Sequence, residues 1–335
     1  MRHVIVLAVT LAGLAAGVPP AAAGDDPLDT LWRQQAERPS HSITAPDTSG
    51  QLHTIEYVHI DGHAVTEGDI VIGTAVDAAA GKIQLPGIFP DVTDDFTGAA
   101  NEPPPMLSRN PPRMRGGRRA VRPGGCRSRD AGAATTQAGA LWPEGRVPYV
   151  LSPALSAEAR EAIAQAMKDY HDNTCVRFVP RTNEPGFLSL VPGNGCYSYV
   201  GRVAPAEQEV SIGRGCERKG IVIHELMHAL GFYHEHSRSD RDSAVTVHLE
   251  NVMKGYEGQF QKLTPPQNRL YGAFDYGSVM LYGRNFFSSN GQDTLVPTAP
   301  AQIGQRIGFS PADLAAVRTL YGCPAPQYSS LSSLL

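Results

Sequence analysis

Apolar positions divide the chain into three kinds of territory. Val4 to Val18 is an almost unbroken apolar run. Between residues 24 and 95 the pattern is thin: Thr54 to Ile60 alternates weakly, and Asp69-Ile70-Val71-Ile72 is strand-like. Residues 96–140 show no periodicity. From Trp142 onward the pattern is that of a globular domain. Val147 to Leu151 reads as a strand. Ser156 can cap a helix over Ala157–Asp172, with Glu158 and Glu161 near its positive end. Ile163, Met167 and Tyr170 fall at i, i+4 and i+7 and form its buried stripe. Short strands are expected at Val176–Val179, Phe187–Val191, Tyr197–Gly201 and Glu209–Ile212. Lys219 to Leu230 is helical and apolar almost all round, so it belongs in the interior. The chain after it is irregular and rich in Gly and Pro. It closes with a helix capped by Ser310, with Pro311 at N1 and Asp313 at N3.

Composition changes this picture at both flanks of the thin region. Arg2 and His3, the apolar run and Ala21-Ala22-Ala23 form the three parts of a signal peptide, cleaved near residue 23. The run is too short for a comfortable membrane span, and no later stretch is long enough. The mature protein is therefore expected to be secreted, with no membrane attachment. The unpatterned stretch holds Pro103-Pro104-Pro105, Pro111-Pro112, two Gly-Gly pairs and eight arginines between Arg109 and Arg129. It reads as an exposed, cleavable linker. A formal net charge of -4 gives no reason to expect a nucleic-acid partner. Cys126 lies in the linker; Cys175, Cys196, Cys216 and Cys323 lie in the globular part. Four cysteines in an exported domain suggest two disulfides, with three possible pairings. No C-x-x-C spacing points to a second metal.

The chemistry is concentrated in Ile223-His224-Glu225-Leu226-Met227-His228-Ala229-Leu230-Gly231-Phe232-Tyr233-His234-Glu235, which spaces as H-E-x-x-H-x-x-G-x-x-H-E. On a helix His224 and His228 share one face, one turn apart, the bite a tetrahedral zinc needs. Glu225 can reach water on the metal's open side. Gly231 accepts a positive φ where the helix must end, so the chain can turn and bring His234 in as a third ligand. A lone histidine on an apolar helix is usually a satisfied core residue. Three at this spacing, with the Glu and the Gly, imply one bound Zn²⁺.

With Glu235 after the third histidine, this motif resembles the astacin family of zinc endopeptidases, within the metzincins. Ser278-Val279-Met280-Leu281-Tyr282 looks like that family's Met-turn, S-x-M-x-Y. Asn173 to Thr182, Cys196 to Arg202, Arg238 to Asp242 and Leu320-Tyr321-Gly322-Cys323 also look like family segments. Leu281 stands where many members have His, but this is not a ligand position. The resemblance implies an α+β, two-lobed metzincin fold over 133–324. A five-stranded mixed sheet and helices form the upper lobe, and an irregular lower lobe ends in a helix. Residues 24–132 would be a pro-segment and 325–335 a short tail. Substrate would lie antiparallel to the sheet's edge strand. The resemblance further implies the disulfides Cys175–Cys323 and Cys196–Cys216. It implies Glu225 as general base, and Tyr282 as a zinc-binding tyrosine that swings to help the tetrahedral intermediate. Met280 would be a structural floor, and Glu235 would meet the newly cut N-terminus. His236, His248 and the pro-segment histidines are expected to be solvated.

Function then reads as a monomeric secreted zinc endopeptidase acting on proteins or peptides, made as a zymogen. The alternative is a catalytically silent zinc-binding protein on the same fold, and the retention of Glu225, all three histidines and Tyr282 argues against it. Glycine-rich calcium repeats of the serralysin kind are absent. No EGF or CUB module is expected after Cys323, and no N-x-S/T site occurs. Two residues compete as the blocking ligand. Cys126 offers a thiolate, as in the cysteine switch of matrixins. Asp69, in Glu67-Gly68-Asp69-Ile70, resembles the aspartate switch of astacin pro-segments, F-x-G-D, although Thr66 replaces the Phe. Asp69 is the expected blocking ligand, and cleavage is expected in the arginine-rich stretch or near Gly132–Leu141.

Overall fold

The computed structural model describes residues 38–46, 52–83, 132–203 and 205–324. The expected signal peptide, the arginine run with Cys126 and the tail lie outside the described residues.

Four strands come from the N-terminal segment: β1 (Ser40–Pro46), β2 (Leu52–Ile60), β3 (His63–Thr66) and β4 (Ile70–Thr74). They pair antiparallel in sequence order. The β3–β4 hairpin turns through Glu67 and Gly68, at φ 46° and 74°. Two left-handed residues in succession match the twist of the strands they join, a conformation glycine adopts freely and glutamate only when held. A single turn of helix follows, α1 (Ala75–Ala79), capped by the Thr74 hydroxyl.

The next six strands are β5 (Ala133–Ala134), β6 (Arg146–Leu151), β7 (Arg177–Pro180), β8 (Phe187–Val191), β9 (Cys196–Tyr199) and β10 (Glu207–Ile212). The main sheet runs β1-β2-β3-β4-β9-β10-β8-β6-β7. Its last five members are the mixed five-stranded sheet expected from the sequence, with only β9 and β10 antiparallel to each other. What the sequence did not announce is that β4 continues this sheet. It pairs parallel with β9, Ile70 opposite Ser198 and Val71 opposite Tyr199.

β3 and β4 are buried on both faces, so their alternation is blurred, whereas β1 is largely exposed. Val58, Ile60, Val65 and Val71 join the principal core. Ile55, Tyr57, Ala64, Ile70 and Ile72 join a second cluster with Val200, Tyr233 and Leu263. Side chains alternate along a strand. Asp69, two residues before Val71, is therefore carried toward the principal core.

Helix α2 (Ala157–Asn173) starts at Ser156, whose hydroxyl accepts from Ala159 N at 3.0 Å, and buries Ile163, Met167 and Tyr170. The Tyr170 hydroxyl donates to Ile223 O at 2.9 Å and so ties α2 to α3 (Lys219–Ala229). Beyond α3 lies the irregular lobe: short 3-10 turns, the strands β11 (Phe232–Tyr233), β12 (Val245–Val247), β13 (Arg269–Leu270) and β14 (Leu295–Pro297), and α4 (Pro311–Leu320). Ser310 and Asp313 close a capping box on α4. Asp313 also accepts from Ser278 Oγ at 2.6 Å and Val279 N at 2.9 Å, which fixes the loop beneath the motif helix.

Residues 133–140 lie within the domain expected over 133–324 although they show no periodicity. Ala133 and Ala134 are fully buried, forming β5 between β11 and β13. Alanine is small enough for that slot, and its weak hydrophobic signal hides the strand.

Cys175 is bonded to Cys323 and Cys196 to Cys216. With sequence separations of 148 and 20, their nominal chain-entropy contributions are about 5 and about 3 kcal/mol. Among the described residues no helix is long and apolar enough to cross a membrane.

Candidate metal centre

Helix α3 is buried at every position from Gly220 to Ala229, so its two histidines are held by packing on all sides. Trp142 Nε1 donates to Ala229 O at 2.8 Å and satisfies one of the terminal carbonyls of the helix. Gly231 follows at φ 106°, and a Cβ there would meet Thr135 Cγ2 at 3.0 Å. The chain reverses through it into β11, which delivers His234 back to the end of the helix.

Each imidazole has its Nδ1 committed to an acceptor. His224 Nδ1 lies 2.8 Å from Val279 O, His228 Nδ1 2.8 Å from Phe232 O, and His234 Nδ1 2.9 Å from Glu67 Oε2. These partners fix Nδ1–H, which turns the three Nε2 atoms toward one point. His224 Nε2 is 3.2 Å from that of His228 and 3.3 Å from that of His234. Asp69 completes the group, with Oδ2 3.0 Å from His224 Nε2, and Oδ1 3.5 Å from His228 Nε2 and 3.1 Å from His234 Nε2. A tetrahedral zinc with ligands at about 2.0–2.1 Å requires ligand–ligand edges of about 3.3–3.4 Å. The observed edges fit that size. The donor set fits as well: three imidazole nitrogens and a carboxylate are all lone-pair groups, and a cation satisfies them together.

Electrostatics follow from burial. Burial pushes the Asp69 carboxyl up, but the field of His234 and the imidazoles of His224 and His228 against it outweigh burial and hold it well below the usual range. Glu225 is pushed up, first by burial and then by the charge of Asp69, with Arg306 opposing. Its Oε2 is buried with no hydrogen-bond partner among the described residues. Burial also raises Glu235 to about 8, against the pull of Arg238. An ion pair with Nη1 of Arg238 at 3.2 Å would ordinarily lower a carboxylate; here both groups are wholly buried and desolvation wins.

The other expected residues fall as follows. The Tyr282 hydroxyl donates to Glu67 O at 2.5 Å. Met280 is buried, and its carbonyl accepts from Glu235 N at 2.9 Å. Glu235 Oε1 also accepts from Asp275 N at 2.9 Å. His248 is partly exposed beside Glu250. His236 was expected in solvent but is fully buried. Its Nε2 meets Gln259 O at 3.1 Å, and its ring lies 3.7 Å from that of Tyr282, because the chain after His234 coils into a 3-10 turn beneath the site. Burial holds its pKa well down. Among the N-terminal histidines, His63 is likewise drawn in, bonding Glu209 Oε2 at 2.9 Å. Three residues near the site were missed in the sequence. Arg306 acts through its field on His224 and Glu225. Ser237 donates to Glu67 Oε2 at 2.8 Å. Glu67 itself is the third.

Fold and site together define a protein of the metzincin class: a helix-borne histidine pair, a glycine reversal, a third histidine and a Met-containing turn beneath. A family model described as Astacin (Peptidase family M12A) matches residues 134–322. The chain belongs to the astacin family. It is 46% identical over 187 residues to zinc metalloproteinase nas-15 of Caenorhabditis elegans, a match covering 55% of this chain and 33% of that one. It is 42% identical over 202 residues to Tolloid-like protein 1 of Homo sapiens, covering 58% of this chain and 20% of the relative. The chain thus spans less than half of the length of either. Among solved structures it is similar to high choriolytic enzyme 1, a hatching enzyme zinc-protease from Oryzias latipes. There the TM-score is 0.50 at 40% identity, over 57% of this chain and 94% of that one.

Proposed function

We propose that the chain is the precursor of a secreted zinc endopeptidase, monomeric and unattached to membranes, that cleaves proteins or peptides. The observation that carries the reading is the convergence of three Nε2 atoms and one carboxylate on a tetrahedral, zinc-sized point, with Glu225 buried beside it. His224, His228 and His234 would hold the ion. Zinc, when bound, supplies Lewis acidity toward water and toward the scissile carbonyl. Glu225 takes the proton of the attacking water and returns it to the leaving amine. The Tyr282 hydroxyl already donates to a peptide carbonyl, that of Glu67, and in the open enzyme is available to the substrate's developing oxyanion.

Residues 24–132 act as the pro-segment and 133–324 as the catalytic domain. Asp69 fills the position that water and substrate need, and β4 covers the β9 edge on which substrate would lie. β4 runs parallel to β9, the reverse of the antiparallel substrate, so the segment occupies the cleft without presenting a cleavable bond in register. The carbonyl of Gly132 lies 3.4 Å from Arg238 Nη1, which pairs with Glu235. A chain end made near residue 132 would therefore reach Glu235. Cleavage in the arginine-rich stretch or just after it removes the segment.

The test is caseinolysis by the activated protein with and without phenanthroline, beside Glu225→Gln. Activity abolished by the chelator, and a Gln variant that keeps zinc but does not turn over, are the expected results. A Gln variant with near wild-type turnover would sink the general-base role.

A further inference from the structure

We propose that Glu67 is a second functional carboxylate of the N-terminal segment, a positioning residue that strengthens the hold of His234 on zinc while the segment is docked. The inference rests on the zinc reading above and adds to it a residue that does not touch the metal point. Glu67 Oε2 lies 2.9 Å from His234 Nδ1 and takes a second hydrogen bond from Ser237 Oγ at 2.8 Å. Its side chain is 11% exposed. A carboxylate on the far nitrogen of a metal-binding imidazole fixes its tautomer and ring orientation and makes the ligating nitrogen more basic. His224 and His228 have backbone carbonyls in that place, supplied by the loop after Gly277 and by Phe232. Only His234 has a charged acceptor, and only that acceptor belongs to the removable segment.

The backbone shows that this placement is held rather than incidental. Glu67 sits at φ 46°, a region that disfavours a non-glycine residue. The turn is pinned on both sides: Thr66 Oγ1 donates to Glu56 O at 2.7 Å, Tyr282 to Glu67 O, and Ser198 N to Asp69 O at 2.8 Å. One turn thus delivers two carboxylates to the same histidine, Asp69 to its Nε2 and Glu67 to its Nδ1. Release of the segment removes the blocking ligand and the outer acceptor in one event, so the activated enzyme holds zinc less tightly than the precursor by more than the loss of Asp69 accounts for.

The experiment uses the full-length precursor carrying Glu225→Gln, which stops self-cleavage, and measures zinc affinity by competition with a chromophoric chelator. Glu67→Gly removes the carboxylate and favours the turn, so a loss of zinc affinity is not a loss of backbone geometry. Glu67→Gln keeps an acceptor without charge. Removing an outer partner of this kind typically weakens metal binding on the order of 10- to 100-fold. The expected order is parent, then Gln, then Gly, with the Gly effect persisting in an Asp69→Ala background. Equal affinity for parent, Gln and Gly overturns the proposal. So does a Gly effect that vanishes when Asp69 is absent, since Glu67 would then act only by holding Asp69. A parent that binds no zinc would instead defeat the metal reading itself.

Discussion

Asp69→Ala deletes a carboxylate that is 2% exposed and lies within 3.0–3.5 Å of three imidazole nitrogens. Its other anchors survive: the β4–β9 pairing, the Tyr282 bond to Glu67 O, and the three contacts of Asp61 with the Asn194 amide nitrogens and the Tyr197 hydroxyl. The variant therefore folds with its segment docked less firmly. Removing one partner of a buried, multiply bonded charge costs about 3–5 kcal/mol. Every 1.4 kcal/mol is tenfold, so the open, active fraction of the precursor rises from about 10²-fold to a few thousand-fold. The assay is turnover of a fluorogenic peptide by uncleaved precursor, with gels run alongside to exclude processing. Premature activity or self-cleavage in Asp69→Ala, and unchanged latency in Cys126→Ser, are expected. The reverse pattern moves the blocking ligand to Cys126. Latency untouched by either change, with zinc still bound, refutes the reasoning.

Tyr282→Phe in the activated enzyme removes one donor to the developing oxyanion and should lower kcat on the order of 10²-fold, with KM little changed; a drop confined to KM would assign Tyr282 to binding alone. Asp313 gives a pH dependence. Burial raises its carboxyl to about 6, against hydrogen bonds from Ser278, Val279 N and Ser310 N. The native state keeps this proton where the unfolded chain has lost it, so its contribution is complete below about pH 4 and is lost as pH rises through about 6. Over that window the loss is about 3 kcal/mol. Chemical denaturation at stepped pH should show this component in the wild type and not in Asp313→Asn; parallel curves would contradict it.

Much of the site was legible because its information is local. His224 and His228 read off the helical period, and Gly231 off the need to end the helix. The caps at Ser156 and Ser310 sit where side-chain chemistry demands. What escaped depends on contacts across long separations. Glu67 was in view next to Asp69, but nothing in Glu67-Gly68-Asp69 says that the first carboxylate turns to a histidine 167 positions away. The pairing of β4 with β9 escaped for the same reason, since an edge strand carries no address for its partner. Ala133-Ala134 was hidden by its small side chains. His236 was hidden by polarity: its burial is decided by the rings of Tyr282 and Phe260 packed against it.

Zinc-edge X-ray absorption on the purified, uncleaved precursor tests the central claim most directly. The account predicts one zinc per chain with four nitrogen or oxygen neighbours at about 2.0–2.1 Å, three of them imidazole. A sulfur neighbour at about 2.3 Å would contradict it and place a thiolate where Asp69 is assigned, and a precursor that retains no zinc would remove the metal centre altogether.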